Sequence, residues 1–265
     1  MGFGLWALGE MRHKIALVTG STSGIGRGIA ERFAALGASV MVHGPEEGAA
    51  REVATQLSGR GWSAAAVAGD LMDADVCRRI VRSTIETFGA IDVLVNNAAS
   101  VSRASLEDAS VEFWDRMMNV NLRAPFLCLQ EAVKSMKTRG GGSIVNIGSV
   151  NAYVGQTNLG PYSVSKGALM TLTRNAAATF SEHKIRVNQI NVGWTLTEGE
   201  ERVKREEEHD PDWLPKAIAT RPFGRLLSPD DIARAAEYFA SDASALVTGS
   251  VLDLEQFPIG APGTW

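Results

Sequence analysis

The stretch ALVTGSTSGIGRGIA, Ala16–Ala30, decides how the rest of the chain is read. It begins as a short apolar run with the composition of a strand and ends as the opening of a helix. Between the two halves stand Gly20, Gly24 and Gly26. A glycine-rich turn lets backbone N–H groups approach a pyrophosphate, which then lies at the positive end of the helix. The spacing G-x-x-x-G-x-G is not the G-x-G-x-x-G fingerprint, so position carries the reading rather than pattern. Following an apolar strand early in a βαβ pattern, the turn is expected to cradle a cofactor phosphate, with Ser23 and Ile25 beside its glycines.

Outward from this turn, short apolar runs alternate with helical patterns. Strands are expected at Ile15–Thr19, Ser39–His43, Ala64–Ala68, Val93–Asn96, Ser143–Ile147, Arg186–Ile190 and Ser250–Leu254. Most are continuously apolar, as strands buried on both faces of a parallel sheet are. Helices are expected at Ile25–Leu36, Glu46–Leu57, Asp73–Phe88, Ser110–Lys137, Tyr162–Ser181 and Pro229–Ala240, with Asp73 and Ser228 as N-caps and Pro229 at a first helical position. The alternation predicts an α/β fold: a doubly wound, parallel, seven-stranded sheet with helices on both faces. Residues 11–265 would form one domain, and residues 1–10 a loose N-terminal extension.

Composition narrows the function. The 265 residues are 45% hydrophobic and 21% charged, and the net charge of −4 comes without a Lys/Arg cluster. Neither nucleic acid nor an anionic membrane is an expected partner. No apolar run reaches the length of a membrane span, and the opening segment lacks the basic start of a signal peptide. Cys77 and Cys128, far apart in apolar helical patterns, read as reduced core thiols of a cytoplasmic protein. The histidines His13, His43, His183 and His209 have no ligand spacing, so no metal site is expected.

One segment breaks the rhythm. Thr195–Arg225 is highly charged, holds three prolines and leaves from the carboxyl end of the sixth strand. Ligands of doubly wound sheets bind beyond those ends, so residues 195–225 are expected to be a substrate-lid insertion.

Further motifs follow in a fixed order: Asn96–Ala99 as NNAA, then Asn121, Ser149 and Tyr162-x-x-x-Lys166. With Thr19-Gly20-x-x-x-Gly24-x-Gly26, they resemble the short-chain dehydrogenase/reductase family from about Lys14 to Leu254. The resemblance implies a single Rossmann-type domain, a nicotinamide cofactor, and a homotetramer or homodimer. It implies that Asp70 and Leu71 meet the adenine, that Asn97 and Ala98 line the adenosine portion, and that Val192, Gly193, Thr195 and Thr197 meet the nicotinamide carboxamide. The family's N-x-x-x-P-G-x-x-x-T becomes here Asn188-x-x-x-Val192-Gly193-x-x-x-Thr197, without the proline, and LEQ at Leu254–Gln256 replaces the usual Asp-Gly-Gly. The apolar tail beyond, with Phe257, Pro258 and Trp265, is expected at a subunit interface or over a neighbour's site. Where the family carries an acidic residue for the adenosine ribose, this chain has Gly44, and where NADP-preferring relatives carry a base it has Ser23. The lack of a cation for a 2′-phosphate favours NAD, with NADP the alternative and His43 a further contact for that phosphate.

Tyr162 and Lys166, spaced i and i+4, share one helix face. An ammonium about 6 Å from a phenol, at effective dielectric ~20, contributes roughly 3 kcal/mol, about two pH units in favour of the phenolate. Ser149 follows the fifth strand, where its hydroxyl can hold a substrate oxygen while Tyr162 exchanges the proton. Asn121, by resemblance, holds a water leading to Lys166. The expected reaction interconverts a secondary alcohol and a ketone by hydride transfer; a cofactor-binding protein without turnover is the other class. Asn151, Gln156 and Trp194, with Ser149 and Tyr162, are the expected substrate contacts, joined by Asn158, Glu198 and Trp213. Amides and a carboxylate beside aromatic rings suit a sugar or polyol, and small hydroxy acids or 3-oxoacyl compounds come second.

Overall fold

The computed structural model describes residues 11–207 and 211–260. The extension expected at residues 1–10 lies outside them, as do His209 and Trp265. Seven parallel strands form one sheet: β1 (Ile15–Val18), β2 (Ser39–Gly44), β3 (Ala64–Ala68), β4 (Val93–Asn96), β5 (Gly142–Ser149), β6 (Ile185–Val192) and β7 (Val251–Leu254). Their order is β3-β2-β1-β4-β5-β6-β7. The direction of winding reverses between β1 and β4, which opens a crevice beyond their carboxyl ends.

Alternating side chains divide each strand between two apolar layers. Val18, Val42, Val95 and Ile190 face α1 (Gly24–Ala35), α2 (Glu47–Gly59) and the last helix, where Ile29, Phe33, Leu57, Ile232 and Phe239 are buried. Leu17, Met41, Leu94 and Ile144 face α3 (Ala74–Phe88) and the helix holding Cys128 and Met136. Ile25, Ile29 and Phe33 recur every fourth residue of α1, and full burial of an Ile or Phe stabilises by about 1.5–3 kcal/mol. Cys77 and Cys128 are buried free thiols within this second layer.

The expected caps are in place. Asp73 accepts from Asp75 N at 2.7 Å, and Ser228 forms a capping box with Asp231 before Pro229. The single helix expected over Ser110–Lys137 is instead three pieces. These are α4 (Val111–Met118), a π-helical turn (Asn119–Arg123) and α5 (Ala124–Arg139). Pro125 has no N–H to give the carbonyl four residues earlier, and Asn121 turns its side chain to groups outside the helix. Then come α6 (Gly160–Phe180), α7 (Glu198–Glu207), α8 (Trp213–Ala219) and α9 (Pro229–Ala240). The charged excursion after β6 thus carries two helices that periodicity did not reveal. Among the described residues, no helix is long and apolar enough to cross a membrane.

Candidate active site

The turn after β1 sits at the crevice and is held by its neighbours. Thr19 Oγ1 accepts from Asn97 N (3.0 Å) and Ala98 N (3.1 Å), and Asn97 Nδ2 donates to the carbonyls of Thr19 and Gly20, both at 2.9 Å. A Cβ on Gly20, whose φ is +62°, would stand 2.8 Å from Ala98 Cα, so only glycine fits there. Gly24 is also left-handed, and a Cβ on it would meet only the Thr197 side chain, at 3.6 Å. Ser23 is the N-cap of α1 but makes no capping bond, and the first turn holds no acidic residue. The helix therefore opens with bare N–H groups beside an uncrowded turn, which fits a pyrophosphate.

His43 is a clamp in this turn. Its Nδ1 accepts from Gly20 N at 3.1 Å and its Nε2 lies 3.1 Å from Gly69 O, while burial lowers its pKa to about 4. A neutral, buried ring is no partner for a phosphate dianion. At Gly44 a Cβ would fall on the Thr22 methyl, so the position expected to meet the ribose is filled by Thr22 and admits no acid. Asp70 is exposed and accepts from Met72 N at 2.9 Å, and Leu71 is buried beneath it. Beyond β6, Thr195 Oγ1 donates to Gly193 O at 3.1 Å, and Thr197 Oγ1 accepts from Glu200 N at 3.1 Å to open α7. Gly193 N donates to Leu254 O at 3.0 Å, next to Val192 at the end of β6.

The structure brings the four expected chemical residues to one place. Ser149 ends β5, buried, and its Oγ accepts from Asn151 N at 3.2 Å. Tyr162 lies in the first turns of α6, with the Ser149 side chain near enough to its hydroxyl to favour the phenolate. Lys166 Nζ, one turn on, is 5.6 Å from the Tyr162 ring centre and donates to Ile147 O at 2.9 Å. Asn121 is buried in the π turn. Its Oδ1 accepts from Ser100 N (2.7 Å), and its Nδ2 donates to Ser100 O and Ser165 Oγ, both at 3.0 Å. Ser165, which sequence reading passed over, completes the link by donating to Tyr162 O at 2.7 Å. No sequence signal marked it beyond its place between Tyr162 and Lys166.

The electrostatics differ from the expectation of a tyrosine lowered by its lysine. Burial raises the Tyr162 phenol above its ordinary 10, with the neighbouring Ser149 hydroxyl opposing, and burial lowers Lys166 to about 8. Desolvation outweighs the mutual attraction because both charged forms lose water.

The expected substrate contacts separate. Asn151 is half-buried in the turn after Ser149, whereas Gln156, Asn158 and Glu198 are exposed. Trp194 is occupied by the protein itself. Its ring lies 6.3 Å from Trp213, with Lys204 Nζ at 5.1 Å and Arg221 Cζ at 5.5 Å, and its Nε1 donates to Glu200 at 2.8 Å. Arg221 and Glu255, which join this cluster, were not singled out in sequence; LEQ in place of the usual Asp-Gly-Gly was the only signal. Among the described residues no group of His, Cys, Asp or Glu could hold a metal ion.

A family model described as enoyl-(acyl carrier protein) reductase matches residues 20–255. An uncharacterised oxidoreductase of Thermotoga maritima is 38% identical over 241 residues, 91% of this chain and 93% of that protein. Among solved structures, 7α-hydroxysteroid dehydrogenase complexed with NADH and 7-oxo glycochenodeoxycholic acid superposes with TM-score 0.87 at 32% identity, covering 94% of this chain and 96% of that one. A putative NAD(P)-dependent gluconate 5-dehydrogenase from Beutenbergia cavernae, with bound NADP, gives TM-score 0.85 at 32% identity over 94% and 98%. With the parallel sheet, the glycine turn and the Ser–Tyr–Lys cluster in place, the chain belongs to the short-chain dehydrogenase/reductase family, nicotinamide-dependent oxidoreductases acting on alcohol groups.

Proposed function

We propose that the protein interconverts a secondary alcohol and a ketone, with Tyr162 as the proton-exchanging group. The observation that carries this is Tyr162 beside Ser149 at the carboxyl end of β5, with Lys166 Nζ 5.6 Å from the Tyr162 ring centre. A bound nicotinamide supplies or accepts the hydride. Gly20, Ser23, Gly24, Ile25 and Gly26 would hold its pyrophosphate end. Asp70, Leu71, Asn97 and Ala98 would hold its adenosine, and Val192, Gly193, Thr195 and Thr197 its nicotinamide end.

Ser149 donates a hydrogen bond to the substrate oxygen. Tyr162, kept protonated by burial, gives its proton to a ketone; to take one from an alcohol it must first pass its own toward the neutral Lys166 amine. Lys166, lowered to about 8, exchanges protons in the working range and resupplies the phenol. Asn121 braces α6 through Ser165, so the Tyr162 backbone does not shift as the proton moves. Alcohol oxidation should rise with pH through the Lys166 pKa, because the neutral amine can then accept the proton that Tyr162 must give up.

The substrate proposed is a sugar or polyol, whose hydroxyls Asn151 and Gln156 would meet while residues 195–225 cover it; Trp194 anchors that cover. The gluconate 5-dehydrogenase relative supports this class. A small hydroxy acid or a 3-oxoacyl compound is the second reading. NAD is the preferred cofactor, because Ser23 and Gly44 give a 2′-phosphate no cation. The working form is a homodimer or homotetramer in the cytoplasm.

Initial rates on sugars, polyols and hydroxy acids, each with NAD and NADP, identify substrate and cofactor together. Tyr162→Phe should lower kcat by about 10²-fold or more while cofactor affinity stays within twofold. Retained turnover would reject Tyr162 as the acid–base group. A wild-type protein that binds NAD and turns over no alcohol would leave the non-catalytic reading.

A further inference from the structure

The Arg221 guanidinium lies between two rings, 5.5 Å from the centre of Trp194 and 4.8 Å from that of Phe257. Its Nη1 is 3.9 Å from Glu255 Oε1, in a pair whose side chains are only 16% and 6% exposed. Each partner comes from a different part of the chain: Trp194 from the segment after β6, Arg221 from the end of the charged excursion, Glu255 and Phe257 from beyond β7. Trp194 in turn touches α7 through Glu200 and Lys204, and α8 through Trp213. One guanidinium thus gathers α7, α8 and the C-terminal segment around a single indole.

Glu255 also underlies Gly193. A Cβ at Gly193 would fall on the Glu255 carboxylate, so the post-β6 backbone rests on that side chain. Gln256 fastens the same region, its Oε1 accepting from Phe223 N at 3.1 Å and its Nε2 donating to Arg225 O at 2.6 Å. Leu227 N donates to Trp194 O at 3.1 Å, and Leu196 N to Leu227 O at 2.8 Å. The segment Gly193–Leu196 is therefore held between the C-terminal strand end and the 221–227 stretch.

We propose that Arg221 and Glu255 are positioning residues: a charged latch that seats the excursion after β6 on the C-terminal segment and so fixes the substrate side of the site. The inference rests on the alcohol-oxidoreductase reading for its kinetic consequence but not for its structural one. A guanidinium largely withdrawn from water, between two rings and beside one carboxylate, has a stronger hold than a surface ion pair. A neutral replacement keeps the apolar stem and loses that hold. Neither residue reaches Ser149 or Tyr162, so the bond-making step should be spared and substrate capture weakened.

The test compares full-length wild type, Arg221→Met and the isosteric Glu255→Gln, which alters the charge pairing alone. Limited trypsinolysis, with fragments assigned by mass, reads cleavage after Arg202, Lys204, Arg205 or Lys216 without cofactor present. Both variants should be cut there about five-fold faster or more, with KM for the alcohol up about ten-fold and kcat within twofold. Cleavage and KM both within twofold of wild type in both variants would overturn the latch, as would a fall in kcat at unchanged KM. Faster cleavage in variants of a protein that turns over no alcohol would uphold the latch and reject the proposed reaction instead.

Discussion

Replacing Lys166 by Met should make the protein more stable at neutral pH while removing its activity. The ammonium is 2% exposed, has one bonded partner, Ile147 O at 2.9 Å, and its pKa falls from 10.5 to about 8 through desolvation. Such a lowering corresponds to roughly 3 kcal/mol of cost for keeping the charge inside at pH 7. Met fills similar volume without the charge but leaves the carbonyl one bond short, which costs about 1 kcal/mol. The net gain is about 2 kcal/mol, or some 4–8 °C in a chain of this size. The sign with pH follows from linkage. Between about 8 and 10.5 the unfolded chain binds the proton and the folded one does not, so wild type gains stability as pH rises, at about 1.4 kcal/mol per pH unit. The two proteins should therefore be equally stable near pH ~9.5, with wild type ahead above it. Urea denaturation at pH 7 and pH 9.5 measures both points, and turnover should fall by about 10²-fold or more. A variant less stable than wild type at pH 7, or a gap that does not narrow with pH, would refute the desolvation account.

Gly148→Ala should cost about 3 kcal/mol, read as a lower denaturation midpoint, because its Cβ would fall on Asn191 Oδ1 and Gln189 Nε2 and part a buried hydrogen bond. His43→Gln tests the clamp on Gly20. Cofactor affinity should drop about ten-fold as the turn loosens. The wild-type ring, lowered from 6.5 to about 4, gives stability that is complete above pH 6.5 and lost as pH falls toward 4. The variant should lack that acid-side loss; an identical pH dependence would show that His43 titrates as an ordinary exposed histidine.

The sheet was readable because it rests on a local rule. Apolar runs marked every strand to within a few residues, whereas the i, i+4 spacing of Tyr162 and Lys166 gained a chemical reading only beside Ser149 and the family resemblance. What stayed hidden depended on contacts across the chain. The break at Asn119–Arg123, marked locally only by Pro125, also depends on Asn121 bonding to Ser100 and Ser165, residues 21 and 44 positions away. Composition made α7 and α8 look like loop, since charge masks a helical period when few apolar residues carry it. Trp194 was legible as an aromatic near the site. Its engagement by Arg221, Lys204 and Trp213 was not, because nothing in the sequence links residue 194 to residues 221 and 257.

One feature of the strands explains how so local a cluster is held in register. On the α6 side of the sheet, polar side chains replace apolar ones in a continuous chain. Asn96 Nδ2 donates to Asn146, Asn146 Nδ2 to Thr173 Oγ1, and Thr173 Oγ1 pairs with Gln189, at 2.8, 2.8 and 3.0 Å. Gln189 then donates to Asn191 at 2.7 Å, and Asn191 to Asp253 at 3.0 Å. Thr173 lies two turns beyond Lys166, on the same face of α6, so its two amide partners fix how far that helix advances along β5 and β6. Apolar packing alone tolerates small slips of a helix on a sheet, whereas a buried hydrogen bond displaced by an ångström is lost at a cost of about 1–3 kcal/mol. Ser149 and Tyr162 come from different elements and must meet within hydrogen-bond reach, so this amide chain, more than the surrounding core, sets the geometry on which proton exchange depends.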